Sequence, residues 1–123
     1  MRVLVVDDAK AARMFVGRMM RELGFEVIEA AHGREALEQL VINAPIDLAL
    51  VDWNMPEMNG LEFVVAARAD ARFQKFPIVM CTSETEMSQV IHALEAGASE
   101  YIMKPFTTDI LRGKLELLGV PVT

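Results

Sequence analysis

Short apolar runs alternate five times with longer stretches in which apolar residues recur at helical spacing. A run of four or five apolar residues that ends at turn residues predicts a buried strand, and an i, i+3, i+4 pattern predicts an amphipathic helix. The predicted strands are residues 3–6, 25–29, 47–51, 77–81 and 101–103. The predicted helices lie between 12 and 23, from 33 to the proline at 45, from 60 onward, between 84 and 97, and over 107–118.

Each predicted helix has one apolar face, which we expect to pack against the sheet. In chain order these faces consist of Ala12, Phe15, Val16, Met19, Met20 and Leu23; Ala36, Leu37, Leu40 and Val41; Leu61, Val64 and Val65; Met87, Val90, Ile91 and Leu94; and Leu111, Leu115 and Leu118. Gly113 lies inside the last helix and should destabilise it by up to about 1 kcal/mol relative to alanine.

Strands that alternate with helices in this way predict a parallel sheet, because parallel strands need crossover connections and these crossovers are right-handed. The predicted fold class is therefore α/β, with a (βα)5 doubly wound sheet of five strands. A chain of 123 residues, 53% of them hydrophobic, fits one core of this kind. We expect residues 1–123 to form a single domain, with no output domain.

Composition and charge narrow the classes of function. The 12 basic residues are outnumbered by 18 acidic ones and the net charge is -6, which argues against a nucleic-acid partner. No stretch approaches the roughly 20 apolar residues that span a bilayer, and an acid follows the first strand too early for a signal peptide. The one cysteine, Cys81, lies in an apolar run and fits a buried packing role. We expect a cytoplasmic protein with no membrane partner.

Polar residues that could bind a metal ion or take part in a reaction follow the predicted strands. Asp7 and Asp8 follow the first strand, Asp52 the third, Thr82 the fourth and Lys104 the fifth. Open α/β sheets bind their ligands at the carboxyl ends of their strands, so we expect these five side chains at one edge of the sheet. Three carboxylates at close range repel one another unless a cation joins them, and a hard divalent ion with oxygen ligands, Mg²⁺, fits this set.

A second interpretation exists for each of these residues. Asp7 and Asp8 are residue types that often cap a following helix, and Thr82 can cap the helix after the fourth strand. Lys104 is otherwise a solvated lysine at a strand end. It precedes Pro105, however, and X-Pro bonds adopt the cis form more readily than others, which would turn the ammonium over the carboxylates.

Five spaced motifs carry a resemblance to a known family. They are Val5-Val6-Asp7-Asp8, Asp52-Trp53-Asn54-Met55-Pro56 with Asn59-Gly60, Thr82-Ser83-Glu84, Ala96-Gly97-Ala98 and Lys104-Pro105-Phe106. With them the chain resembles the receiver domains of response regulators, and among these the CheY-like chemotaxis type. The resemblance covers nearly the whole chain. It implies a flavodoxin-like sheet of strand order 2-1-3-4-5, the order known for CheY-like proteins.

The resemblance implies a role for each residue at this edge. Asp52 would accept a phosphoryl group from a sensor histidine kinase or a small phosphodonor, and Thr82 and Lys104 would bind its oxygens. Phosphoryl transfer depends mainly on positioning and on neutralising charge, which a magnesium ion and a lysine supply. The implied Mg²⁺ ligands are Asp8, Asp52 and the main-chain carbonyl of Asn54, with Asp7 acting through water.

Further positions carry implied regulatory roles. Asn54 and Glu84 flank the phosphoryl group in this family and influence its hydrolysis, and their combination resembles the chemotaxis type, which suggests a short-lived aspartyl phosphate. Tyr101 matches a switch aromatic that moves inward when Thr82 moves toward the phosphoryl group; the alternative is an ordinary half-buried tyrosine. Ser83 departs from the small alanine that is commonest in the family, so phosphodonor access can differ.

The function that the resemblance implies is that of a stand-alone response regulator in a two-component phosphorelay, not an enzyme with a separate substrate. Its expected partners are a sensor histidine kinase and a downstream target, which is a flagellar motor switch, a phosphotransferase or a kinase. Phosphorylation would control binding through the fourth helix, fifth strand and fifth helix. The fourth helix lacks lysine and arginine, which counts against the motor. We expect a monomer, with weak dimerisation after phosphorylation as an alternative.

Other functions remain as alternatives. An aspartate-nucleophile phosphatase would need a second carboxylate two positions after the nucleophile, where this chain has Asn54. A binding domain that works without phosphorylation would have no use for the complete acid set. A flavin or dinucleotide protein would need a glycine-rich phosphate loop after the first strand, and none is present there.

Overall fold

The computed structural model describes residues 1–123, except for the side chain of Glu84. Strands and helices alternate along the chain as the apolar pattern predicts. The strands are β1 (Arg2–Val6), β2 (Glu26–Ala30), β3 (Leu48–Asp52), β4 (Ile78–Thr82) and β5 (Glu100–Met103). The helices are α1 (Lys10–Glu22), α2 (Gly33–Ile42), α3 (Gly60–Ala69), α4 (Val90–Ala96) and α5 (Thr108–Leu117), with two short 3₁₀ helices at Ala71–Phe73 and Glu84–Gln89.

The five strands are all parallel and lie in the order β2-β1-β3-β4-β5. This arrangement confirms the predicted (βα)5 fold class and the strand order that the family resemblance implies. The register aligns the carboxyl ends of the central strands: Val6 pairs with Val51, Asp52 with Cys81, and Thr82 with Met103. Side chains that leave the ends of these strands therefore share one edge of the sheet.

Two apolar cores lie on opposite faces of the sheet, because successive side chains of a strand point to opposite sides. Val3 and Val5 of β1 belong to the core that α1 and α5 cover, whereas Leu4 and Val6 belong to the core that α2, α3 and α4 cover. The central strand β3 is buried along its whole length. A strand with helices on both faces needs apolar side chains on both faces, which explains why β1, β3 and β4 read as continuous apolar runs.

Five side chains that the helical spacing predicts to face the sheet are instead exposed to solvent. They are Phe15, Val41, Val65, Ile91 and Leu94. Only a narrow stripe of each helix contacts a sheet, and residues at the margin of a broad apolar face lie outside it. The predicted apolar faces of the helices are thus correct in position but too wide.

The error in the fourth helix has a specific cause. The chain from 84 to 89 forms a 3₁₀ helix, and α4 itself begins only at Val90. A 3₁₀ helix has 3.0 residues per turn instead of 3.6, so it changes the rotational phase of the residues that follow. Val90 and Ala93 are therefore buried, and Ile91 and Leu94 are exposed.

The ends of the strands and of α5 differ from the predictions by at most one residue, whereas α1 begins two residues earlier than predicted, at Lys10, and α2 ends at Ile42, three residues before Pro45. β2 covers Glu26–Ala30 instead of 25–29, and α5 covers Thr108–Leu117 inside the predicted 107–118. Thr107 is the N-cap of α5, and its hydroxyl accepts a hydrogen bond from the main-chain N–H of Ile110 at 3.2 Å. Among the described residues, no helix is long and apolar enough to cross a membrane.

Candidate functional site

Three carboxylates meet at the carboxyl ends of β1 and β3. Asp52 is the last residue of β3, and Asp7 directly follows Val6, which pairs with Val51. One carboxylate oxygen from each of Asp7, Asp8 and Asp52 lies within 4.8 Å of the other two. Asp7 and Asp52 are buried and Asp8 is exposed, so the cluster opens to solvent on the side of Asp8.

The ammonium of Lys104 lies against this cluster. Its Nζ forms an ion pair with Asp52 and lies 3.7 Å from Oδ2 of Asp7. The Lys104–Pro105 peptide bond is cis, and the main-chain N–H of Lys104 donates to the carbonyl oxygen of Thr82 at 2.7 Å. Lys104 therefore points into the site from the end of β5 and is not a freely solvated lysine.

Burial and charge act in opposite directions on these groups. Burial raises the pKa of Asp52, Lys104 lowers it, and Asp7 and Glu86 raise it again, so that the net pKa lies above its usual value. Burial alone would lower the pKa of Lys104, but the adjacent carboxylates of Asp52 and Asp7 raise it. Lys104 is held in its charged form, and a single ammonium faces a cluster of three carboxylates.

This excess of negative oxygen donors fits a hard divalent cation. Magnesium binds through one or two carboxylates and keeps several waters in its shell. A partly open cluster of carboxylates provides such donors together with access for water, and Asp8 lies on its exposed side. The donor set contains no sulfur or imidazole ligand, so its chemistry matches magnesium better than zinc.

Arg13, which the sequence analysis did not single out, holds the main chain of Asp7 in place. Its Nη1 donates to the main-chain oxygen of Asp7 at 2.8 Å, and its Nε pairs with Glu29 at 2.9 Å. Oδ1 of Asp7 also accepts the main-chain N–H of Ala9 at 2.9 Å, which forms a local turn before α1. The only sequence signal for Arg13 is a basic residue one to two helical turns after the acid, and this is too common to be diagnostic.

Thr82 is fully buried at the end of β4. Its hydroxyl donates a hydrogen bond to Sδ of Met87, at 3.7 Å. The turn after β4 is closed by Glu86 instead, whose carboxylate accepts the main-chain N–H of Ser83 at 2.9 Å and whose own N–H donates to the Ser83 carbonyl at 3.0 Å. Capping therefore does not occupy the Thr82 hydroxyl.

Gly60 connects the loop after β3 to α3 at very short range. Its N–H donates to the carbonyl oxygen of Trp53 at 2.9 Å. A Cβ at this position would lie 2.9 Å from the main-chain oxygen of Asp52, 3.1 Å from Cα of Trp53 and 2.5 Å from Cε of Met80. Only glycine fits without displacing the main chain that carries Asp52.

The loop between β3 and α3 contains two further features. Asn54 is exposed two residues after Asp52, and Trp53 is buried in the core beneath the loop. Glu57 has a φ of 66°, which lies in the left-handed region that costs an ordinary residue about 1–2 kcal/mol. Glu84, for which the family resemblance implies a role in hydrolysis, has a side chain outside the described part of the structure.

Tyr101 is half-buried on β5 and packs against the core that α2, α3 and α4 cover. Nζ of Lys114, on α5, lies 4.4 Å from the centre of its ring and 3.5 Å from a carboxylate oxygen of Glu100. A cation over an aromatic face at this distance stabilises the ring modestly, by about 0.5–1 kcal/mol at an exposed site. Tyr101 thus lies on the α4, β5 and α5 face, where the resemblance implies a switch.

Comparison with known proteins gives consistent findings over nearly the whole chain. The family model of the response regulator receiver domain matches residues 3–116. Chemotaxis protein CheY1 of Helicobacter pylori is 49% identical over 119 residues, which cover 96% of this chain and 96% of that protein. Chemotaxis protein CheY of Pseudomonas aeruginosa is 39% identical over 117 residues, 94% of each chain. The solved structure of CheY4 of Vibrio cholerae aligns with a TM-score of 0.86 at 37% identity and covers 95% of this chain and 97% of that one.

Proposed function

Because the chain belongs to the family of response regulator receiver domains, we propose that it is a chemotaxis-type response regulator whose phosphoacceptor is Asp52. The observation that carries this proposal is the meeting of Asp7, Asp8 and Asp52 with the ammonium of Lys104 at one edge of the sheet. A sensor histidine kinase is the proposed phosphodonor. A small phosphodonor would serve the same chemistry.

In the proposed reaction, a carboxylate oxygen of Asp52 attacks the phosphorus of a phosphohistidine. The new O–P bond forms as the P–N bond breaks, and the electron pair of that bond returns to the imidazole nitrogen. Lys104 already contacts Asp52, and its positive charge would neutralise a phosphoryl oxygen in place of the lost carboxylate charge. The hydroxyl of Thr82 would donate to a second phosphoryl oxygen.

The proposed cofactor is Mg²⁺, held by Asp8, Asp52 and the main-chain carbonyl of Asn54, with Asp7 acting through water. Bound magnesium would supply positive charge beside the phosphoryl oxygens and lessen the repulsion among the carboxylates. Arg13 supports the arrangement because its guanidinium holds the main chain of Asp7 in place. The turn bond from Ala9 to Asp7 orients that carboxylate further.

The catalysis that we propose is limited to the chain's own phosphoryl group. Asn54 stands where an aspartate-nucleophile phosphatase would need a general acid, and an amide cannot supply a proton in that role. Asn54 and Glu84 would instead influence how fast water hydrolyses the aspartyl phosphate. A phosphatase with an external substrate is therefore the weaker candidate.

Phosphorylation would be read out on the face formed by α4, β5 and α5, with Tyr101 as its switch residue. This face exposes the apolar side chains of Ile91, Met103 and Ile110, which suit a protein partner better than a nucleic acid. The partner is a flagellar motor switch, a phosphotransferase or a kinase. Residues 1–123 would act as a single receiver domain.

The test of this proposal uses Trp53 as a reporter, because it is the only tryptophan and neighbours Asp52. Magnesium with beryllofluoride, a phosphoryl mimic, should change its fluorescence in a saturable way. Asp52→Asn should abolish the response, whereas Asp109→Asn, which removes an exposed carboxylate from the first turn of α5, should keep it. A native protein that shows no response would refute the proposal, and capture of a protein by the activated form alone would identify the partner.

A further inference from the structure

The buried hydroxyl of Thr82 has a weak hydrogen-bond partner in the resting protein. Thr82 is fully inaccessible to solvent, and its Oγ1 lies 3.7 Å from Sδ of Met87. Most buried hydroxyls bond to a carbonyl, a carboxylate or water, whereas a thioether sulfur is a weak acceptor. The contact orients the hydroxyl but holds it loosely.

The 3₁₀ helix that follows β4 keeps Met87 in this position. The Glu86 carboxylate binds the N–H of Ser83, and the Glu86 N–H binds the Ser83 carbonyl, so both ends of the turn are closed. Met87 comes directly after this turn, on the 3₁₀ helix Glu84–Gln89, and is half-buried. The closed turn thus fixes the main chain from which the Met87 side chain reaches Thr82.

The same hydroxyl is the group that the proposed function assigns to a phosphoryl oxygen. A charged phosphoryl oxygen accepts a much stronger hydrogen bond than a thioether does. The hydroxyl will therefore leave the sulfur whenever Asp52 carries a phosphoryl group within reach. When it leaves, the 3₁₀ helix loses one of its side-chain contacts with the end of β4.

We propose that Met87 is a positioning residue that holds the Thr82 hydroxyl in its resting orientation, and that activation exchanges the Met87 sulfur for a phosphoryl oxygen. The inference rests on the proposed function. It gives the chain a direct link from the phosphorylation site to the segment that leads into α4. Because the hydrogen bond between Thr82 and Met87 is weak, it favours the resting state but does not prevent activation.

Two substitutions separate this role from simple packing. Met87→Leu keeps a similar volume but removes the acceptor, so the resting state should lose stability relative to the activated one. Beryllofluoride with magnesium should then bind about fivefold more tightly. Met87→Gln offers an amide oxygen, a stronger acceptor than the sulfur, and should weaken beryllofluoride binding about fivefold. Met14→Leu, at an exposed methionine of α1, is the matched control and should leave the affinity unchanged.

A second measurement examines the contact itself without any phosphoryl mimic. With ¹³C-methyl-labelled methionine, Thr82→Val in the resting protein should shift the Met87 methyl resonance and leave that of Met14 in place. Adding magnesium and beryllofluoride to the native protein should also shift the Met87 resonance. Thr82→Ser keeps the hydroxyl and should restore a native-like Met87 resonance.

The outcomes distinguish the two proposals. If the native protein responds to beryllofluoride and both Met87 variants bind it with native affinity, the role of Met87 is refuted while the proposed function stands. If the native protein does not respond, the proposed function falls. The methionine methyl spectrum of Thr82→Val tests the contact between Thr82 and Met87 separately. A Met87 resonance that does not shift would overturn this contact. A circular dichroism spectrum of each variant verifies that it is folded.

Discussion

Gly60→Ala adds one methyl group at the point where α3 meets the end of β3. The added Cβ would lie 2.9 Å from the main-chain oxygen of Asp52 and 3.1 Å from Cα of Trp53. These are main-chain atoms of a buried strand end and cannot move without moving the site. The third close atom, Cε of Met80 at 2.5 Å, ends a flexible side chain and can yield.

The expected loss of stability follows from two opposing effects. Inserting a methyl group into a filled core costs about 1–3 kcal/mol. Alanine favours the helical conformation over glycine by up to about 1 kcal/mol. Because Gly60 is the first residue of α3, most of this gain does not apply, and we expect the free energy of unfolding to fall by about 1–3 kcal/mol. The main chain that carries Asp52 should also shift, and a small misplacement of a reacting group can slow a reaction by tenfold or more.

Urea unfolding and the rate of phosphorylation by acetyl phosphate measure these two effects. The matched control is Gly113→Ala on α5, where an added Cβ meets no atom within 4 Å. This control should gain about 0.5–1 kcal/mol through helix propensity and should keep the native phosphorylation rate. If Gly60→Ala is as stable as the native protein and is phosphorylated equally fast, the close packing around Asp52 does not have the effect that we assign to it.

Three further predictions concern single residues. Burial raises the pKa of the Cys81 thiol to about 12, so at pH 8 a thiol reagent should label the folded protein only as fast as the protein unfolds. Rapid labelling of the native state would contradict this prediction. Glu57→Asn should raise the free energy of unfolding in urea by about 1 kcal/mol, because asparagine tolerates the left-handed φ of 66° better than glutamate does, and an unchanged or lower value would argue against strain there. Burial raises the pKa of Asp52 above 3.8, so the ionised carboxylate destabilises the folded protein once the pH rises through the raised pKa. In urea titrations without magnesium, Asp52→Asn should therefore be more stable than the native protein at pH 7 and should lose this advantage below about pH 4. An Asp52→Asn protein that is less stable than the native one at pH 7 would show that the ion pair with Lys104 outweighs the burial of the charge.

The fold follows from the sequence because its main signal is local and repeated. β3 is buried on both faces, and its unbroken apolar run reports this without any knowledge of its neighbours. The rotational phase of α4 is different, since it depends on the 3₁₀ helix before it. Residues such as Ser83 and Glu86 close that turn through pairings that a hydrophobic pattern does not reveal.

The candidate site likewise contains some residues that the sequence predicts and others that it does not. Asp7, Asp52, Thr82 and Lys104 come together because parallel strands end at one edge, and their positions after apolar runs predict this. Arg13 and Met87 contact Asp7 and Thr82, which are only six and five residues away along the chain. The distances and directions of these contacts are nevertheless properties of the packed structure. The helical spacing of Met87 indicates only an apolar position, so its contact with Thr82 could not be expected from sequence.

The central claim is that Asp52 is the residue that carries the phosphoryl group. Intact-protein mass spectrometry after incubation with acetyl phosphate and magnesium tests it most directly, followed by borohydride reduction and peptide mapping to locate the acyl phosphate. The account predicts one added phosphoryl group per chain, located at Asp52 and absent from Asp52→Asn and from samples with excess chelator. No added phosphoryl group in the native protein, or a stable one at another residue, would contradict it.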